Sequence, residues 1–229
     1  MIEYSVSDLY SKCINIKYQS VGEKTNYAFE EDNGTLFIYF EGSEQGADWK
    51  KNFMFKKKPY KDMKIPYKVH RGFLSAWKSV EDIIGEKISE KIGEDYKYKH
   101  IVIIGFSHGG ALSGFCHEYV WFHRPDLRGS GLLGIGFESP RFFGSFHMKK
   151  KLKERWTNYY VTRNHTDIVT HVPPKLFRFT HVGPMYKIGK KAKTGRIESH
   201  LPHNVVKSLE GLTIGFEGGI RDIRSKDLA

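Results

Sequence analysis

The sequence predicts an α/β fold, a three-layer sandwich with a mostly parallel central sheet flanked by helices. Two observations carry this. Short, continuous apolar runs of the kind found in strands covered on both faces recur along the chain. Between them lie stretches whose apolar residues return every three or four positions, the pattern of a helix with one buried face. Strands that alternate with helices in this way imply βαβ units.

Thr35-Leu36-Phe37-Ile38-Tyr39-Phe40, β-branched and aromatic, reads as a buried strand ended by Gly42. Residues 72–92 place Phe73, Trp77, Val80, Ile84, Ile88 and Ile92 on one helical face. Ile101-Val102-Ile103-Ile104 reads as a second buried strand, followed at once by a helix with Ala111, Leu112, Phe115, Cys116 and Tyr119 inward. Leu132 to Phe137 and Asn158 to Thr162 read as further strands, Arg178 to Val182 as a weaker one, and Val205, Val206 and Leu209 as a last helix. The basic stretch 50–68, with Pro59 and Pro66, reads as an irregular connection.

The chain has 229 residues, 39% of them hydrophobic, which suits one sizeable core, so a single domain over 1–229 is expected. Aromatic content of 14% argues against disorder despite a mean hydropathy of −0.50. No stretch approaches the length of a membrane-spanning helix, no leader pattern opens the chain, and the two cysteines, Cys13 and Cys116, form no CxxC pair. An intracellular, cytoplasmic protein is the expectation. The formal charge of +11 favours anionic partners. The excess gathers at Lys50-Lys51, Lys56-Lys57-Lys58, Lys149-Lys150-Lys151 and Lys190-Lys191, which implies peripheral contact with an anionic membrane surface or simply a solvated surface. No zinc spacing, RNP-like aromatic motif or helix-turn-helix pattern points to nucleic acid. His117-Glu118 is not the start of a metalloprotease HExxH, because the fifth position is Trp121.

Chemistry concentrates at Gly105-Phe106-Ser107-His108-Gly109. A G-x-S-x-G match means little alone, but this one sits between a buried strand and a helix, where a nucleophile elbow must lie. The turn is too sharp for a Cβ at the flanking glycines, and it aims the positive helix end at the serine. Serine is a poor nucleophile unaided, so a base and an orienting acid are required. Asp167, just beyond the strand 158–162, is the best placed carboxylate. For the base, His165, His171, His181, His200 and His203 all lie downstream of Ser107. His165 is too near Asp167 in sequence, and His200 precedes the last helix in a loop able to reach the serine, with His203 its close competitor. Two backbone donors must also hold a developing oxyanion. His108, next to the nucleophile, and Ser43, beyond Gly42, are the candidates.

Taken in order, these segments resemble the class 3, or fungal-type, lipases of the α/β-hydrolase fold. Phe40-Glu41-Gly42-Ser43 with Asp48-Trp49 resembles the oxyanion and lid region, and Val69-His70-Arg71-Gly72-Phe73-Leu74 the opening of the next helix. Phe137-Glu138-Ser139-Pro140-Arg141 follows the elbow, Arg163-Asn164-His165-Thr166-Asp167-Ile168-Val169 with Pro173-Pro174 resembles the acid loop, and Ser199-His200-Leu201 the base loop. The resemblance spans about residues 35–210 and favours His200 over His203. It implies hydrolysis of lipid esters, acylglycerol or phospholipid, through a Ser107-His200-Asp167 triad and an acyl-enzyme, with no metal or organic cofactor. A short-chain carboxylesterase and a non-catalytic lipid- or anion-binding protein are the alternatives. The chain departs from the family pattern at Phe106, His108, Glu41 and Glu138, the last standing where the pattern has glycine.

Overall fold

A computed structural model describes residues 2–22, 25–42, 55–61, 66–189 and 197–223. In chain order the elements are β1 (Glu3–Ser5), α1 (Val6–Asn15), β2 (Gln19–Val21), β3 (Thr25–Asp32), β4 (Thr35–Phe40), β5 (Lys57–Tyr60), β6 (Tyr67–His70) and α2 (Arg71–Ile88). There follow β7 (Lys91–Ile92), β8 (Asp95–Tyr96), β9 (His100–Phe106), α3 (His108–His123), β10 (Leu132–Phe137), α4 (Lys150–Lys153) and β11 (Tyr159–Asn164). Last come β12 (Met185–Ile188), α5 (Pro202–Leu209), β13 (Leu212–Gly215) and β14 (Gly219–Asp222).

The central sheet has seven strands in the order β12-β11-β10-β9-β4-β3-β2. Five of them, β4 through β12, run parallel, and β3 and β2 close one edge antiparallel. From β4 onward each new strand is added on the same side. Right-handed crossovers taken repeatedly in one direction put their helices on one face. Accordingly α2 and α3 share a core with Leu36, Ile38, Phe40, Ile101 and Ile103. The opposite face, carrying Phe37, Tyr39, Val102 and Ile104, is covered by the chain ends, α1, α5 and β13. The alternation of side chains along β4 and β9 thus fills two cores, which is why both strands read as unbroken apolar runs.

Three expectations need correction. Arg178 to Val182 is not a strand. Arg178 takes a left-handed conformation (φ 58°), Phe179 and Val182 turn inward, and Thr180 makes only an isolated bridge to Phe143. The edge strand forms after the turn at Gly183, where Met185–Ile188 pairs with Val161–Asn164. The helix over 72–92 stops at Ile88, and Ile92 stands exposed in the β7–β8 hairpin. Within 50–68, the pieces Lys57–Tyr60 and Tyr67–His70 form an antiparallel pair rather than irregular chain. Such a two-stranded ribbon has edges on both sides, where Pro59 is tolerated. Among the described residues no helix is long and apolar enough to cross a membrane.

Candidate active site

Strand β9 delivers Ser107 to the rim of the sheet. The backbone there is left-handed (φ 54°, ψ −118°), held by the bond from the Ser107 N–H to the Phe137 carbonyl at 2.9 Å. The flanking glycines are sterically required. A Cβ on Gly105 would lie 2.1 Å from the Gly109 carbonyl oxygen, and one on Gly109 would lie 2.1 Å from that of Phe40. This second contact presses the end of β4 against the start of α3, so the chain leaving β4 runs past the serine. A Cβ on Gly42 would in turn meet the Phe106 ring at 2.8 Å.

The acid loop leaves β11 in a tight turn. The Asp167 N–H bonds the Asn164 carbonyl at 2.9 Å, and Asp167 Oδ1 accepts from the Val169 N–H at 2.8 Å. Its carboxylate is fully buried. Arg141, from the stretch after β10, braces the far side of this loop by donating to the carbonyls of His171 (2.7 Å) and Pro173 (3.1 Å).

His200 closes the arrangement. It ends a single turn of 3-10 helix just before α5, and its ring lies 5.0 Å from that of Phe106, stacked at 20°. Nδ1 lies 2.8 Å from Asp167 Oδ2 and Nε2 lies 2.9 Å from Ser107 Oγ. A carboxylate can only accept, so the proton belongs on Nδ1, which leaves Nε2 to accept from the serine hydroxyl. An alcohol, an imidazole and a carboxylate from three distant segments therefore form one relay.

A family description, Lipase (class 3), matches residues 37–177, which span the elbow and the acid loop. The chain belongs to the class 3 lipase family. Over 154 residues it is 29% identical to a lipase of Rhizomucor miehei, a match covering 67% of this chain and 42% of that protein. A lipase of Rhizopus niveus is 26% identical over 164 residues, 71% of this chain and 41% of that one. The matched part thus spans less than half the length of these relatives. The solved triacylglyceride lipase of Rhizomucor miehei superposes with a TM-score of 0.64 at 26% identity, covering 76% of this chain and 65% of that one. A triacylglycerol lipase whose catalytic centre is formed by a serine protease triad superposes equally well, at 26% identity over 76% of this chain and 66% of that one. The α/β-hydrolase fold of the family is the fold of this chain.

Of the residues singled out by sequence, Ser107, Asp167 and His200 come together, and His108 is the first residue of α3, with its N–H at the positive end of that helix. Ser43, Asp48 and Trp49 lie outside the described residues. The other histidines stand elsewhere. His203 is exposed in the first turn of α5, His181 Nε2 meets the Thr170 carbonyl at 2.9 Å, and His171 Nε2 meets Arg163 at 3.3 Å. His165 has a left-handed backbone (φ 35°) whose N–H bonds the Ile188 carbonyl.

Sequence reasoning missed Asn164, which joins the acid loop to the base loop. Its amide donates to the Ser199 carbonyl at 2.9 Å and accepts from Ser208 Oγ at 3.0 Å. No local sequence signal marks this role, which depends on where the acid and base loops meet. Two departures from the family pattern gain a role here. Phe106 is the platform for His200, and Glu41 is pinned to β3 by Asn26 at 2.5 Å.

Proposed function

We propose that this chain is a serine ester hydrolase acting on lipid esters through an acyl-enzyme. The observation that carries the reading is the continuous relay from Ser107 to His200 to Asp167, set on a left-handed elbow in a chain of this family. Ser107 Oγ attacks the ester carbonyl while His200 Nε2 takes its proton, and Asp167 holds the imidazole in the useful tautomer and stabilises the imidazolium. The same nitrogen then protonates the leaving alcohol, and water repeats the sequence to release the acid. The His108 N–H is one oxyanion donor, worth about 3 kcal/mol in comparable sites. The other comes from the segment after Gly42, with Ser43 as our candidate.

The rim supports a lipid substrate. Ile197 (60% exposed) and Leu201 (40%) flank His200, and Leu176 (84%) and Phe177 (45%) follow the acid loop. Lys57 reaches toward the same segment, its Nζ 4.9 Å from the Phe179 ring centre and near Arg178 and Lys68. A cavity of about 650 Å³ opens beside the acid loop, lined by apolar Ile168 and Val172 and by Arg141, His165, His171 and Lys175. An apolar rim interleaved with cations suits a lipid–water interface that carries anionic headgroups. Ser107→Ala is the direct test. It should abolish both ester turnover and fluorophosphonate labelling with an unchanged circular dichroism spectrum, and a variant that keeps full activity would sink the assignment. Turnover of acylglycerols and of phosphatidylglycerol vesicles, set against short-chain nitrophenyl esters, then assigns the substrate class.

A further inference from the structure

Glu138 departs from the family pattern, and the relay described above leaves it unused. It follows the last residue of β10, next to the elbow, because Phe137 pairs with Phe106. Its backbone is left-handed (φ 51°), a strain glycine would avoid. Its side chain is fully buried. One carboxyl oxygen accepts from the Asn164 N–H at 2.7 Å and the other from the Thr162 hydroxyl at 3.1 Å. Asn164 is also the residue whose carbonyl takes the Asp167 N–H, so a single residue ties both acids together. The two fully buried carboxyl groups are thus anchored on one residue, close enough for the charge of one to act on the other.

We infer that Glu138 is a positioning residue, whose carboxylic acid donates a hydrogen bond to Asp167 and so fixes the carboxylate that orients His200. A hydrogen bond between two carboxyl groups requires a proton on one of them. Each acid accepts two hydrogen bonds, but only Asp167 faces an imidazole that becomes cationic in the relay, so the negative charge is better stabilised there and the proton sits on Glu138. Burial first, and the Asp167 charge second, raise Glu138 well above the usual carboxylate range, in agreement with that placement. Among the described residues Tyr10 on α1 also faces the pair, a buried phenol held above its ordinary value, chiefly by burial. The role follows from charge. A neutral acid restrains Asp167 and draws off part of its negative charge, whereas an ionised Glu138 would repel it and over-stabilise a protonated, inactive His200.

This inference rests on the hydrolase reading, and the experiment keeps the two apart. Glu138→Gln keeps a neutral donor, since its amide N–H can face Asp167 while its oxygen accepts from Asn164 and the Thr162 hydroxyl turns to accept. Glu138→Gly suits the backbone but removes the donor. On a soluble nitrophenyl ester, Gln should keep kcat within about twofold and leave the acid limb of kcat/KM in place, while Gly should lose about tenfold in kcat at unchanged KM. The acid limb of Gly should also move up by about half a pH unit, as the unshielded Asp167 raises the basicity of His200. Equal losses in Gln and Gly, an unimpaired Gly variant, or an acid limb that moves down in Gln would overturn the inference. Infrared difference spectra of wild type against Glu138→Gln at pH 8 read the proton without any substrate. A missing carboxylic acid band overturns the role of Glu138 even if hydrolysis is intact. A band present in a protein that neither labels nor turns over removes the hydrolase reading instead, and with it the positioning role of Glu138.

Discussion

His200 reaches the relay from a loop outside the sheet, and Asn164 ties that loop to the strand of the acid. Replacing Asn164 by alanine removes the donor to the Ser199 carbonyl at 2.9 Å, a longer bond to the Asn204 carbonyl at 3.3 Å, and the acceptor for Ser208 Oγ at 3.0 Å. Asn164 is 5% exposed, so water does not readily replace these bonds. At about 1 kcal/mol for each of the two shorter bonds, and somewhat more for a carbonyl left buried without a partner, the loss of stability should be about 2–3 kcal/mol. Ser199 is the direct neighbour of His200, so its release shifts the imidazole. Misplacement by about 1 Å costs on the order of 100-fold in rate, and we expect kcat to fall between tenfold and a hundredfold. Urea denaturation followed by tryptophan fluorescence measures the first effect, and nitrophenyl ester turnover, normalised to folded protein, measures the second. Asn164→Asp should be worse than alanine, because it sets an acceptor against the Ser199 carbonyl and a third carboxyl beside Glu138 and Asp167. A variant that loses stability but keeps wild-type kcat per folded molecule would show that the base loop is positioned by something else.

Two further predictions concern the elbow and the core. Gly109→Ala places a Cβ 2.1 Å from the Phe40 carbonyl oxygen, so β4 and α3 must part; fluorophosphonate labelling should slow by at least tenfold and the protein should lose about 2 kcal/mol or more, and a normal labelling rate would refute the close approach. Glu118, buried on α3 between Tyr67 and Arg155, is pushed up to about 7 because burial outweighs the hydrogen bonds from these two partners. The folded state then holds a proton that the unfolded chain releases above its ordinary value of 4.5, so this group's contribution to stability is present below 4.5 and is lost as pH rises toward 7. Between pH 5 and pH 8 the wild type should lose on the order of 2–3 kcal/mol more than Glu118→Gln in urea titrations, and parallel curves for the two proteins would refute it.

The parts of the fold that were legible in sequence are those where local pattern and tertiary burial agree. β4, β9 and β10 are buried on both faces, so their apolar runs are unbroken, and α2 buries one continuous stripe, whereas α3 is buried on every side over 109–118. The elbow was legible because its glycines answer a steric demand that no other residue meets. α5 was read as the last helix, but α1 and β13, which together with it cover one face of the sheet, were not. Their apolar residues are interleaved with polar ones, and nothing local reveals that the same-direction strand order leaves that face uncovered. The β12 error has a similar cause. The aromatic residue in 178–182 is buried by a turning chain rather than by a strand, and the left-handed Arg178 carries no sequence signature. At the site, Ser107, Asp167 and His200 were found from chain order and from the resemblance, whereas Asn164 and the contact between Glu138 and Asp167 depend on sheet register.

Register explains why these groups meet. β9, β10 and β11 are successive parallel neighbours, and the residues that leave their ends are Ser107, Glu138 and, one turn on, Asp167. Phe106 opposite Phe137 and Gly136 opposite Val161 set the relative heights of these ends. A slip of one residue in either pairing would turn the side chains to the other face, separating the nucleophile, the buried acid and the orienting acid together. His200 alone arrives from outside the sheet, by a loop and the short α5. It is held by a ring stack on the residue before the nucleophile and, through Ser199, by the asparagine that ends the acid's strand. The imidazole is therefore referenced to the same two strands as its partners, and a sheet that keeps its register brings all three to working distance before any substrate arrives.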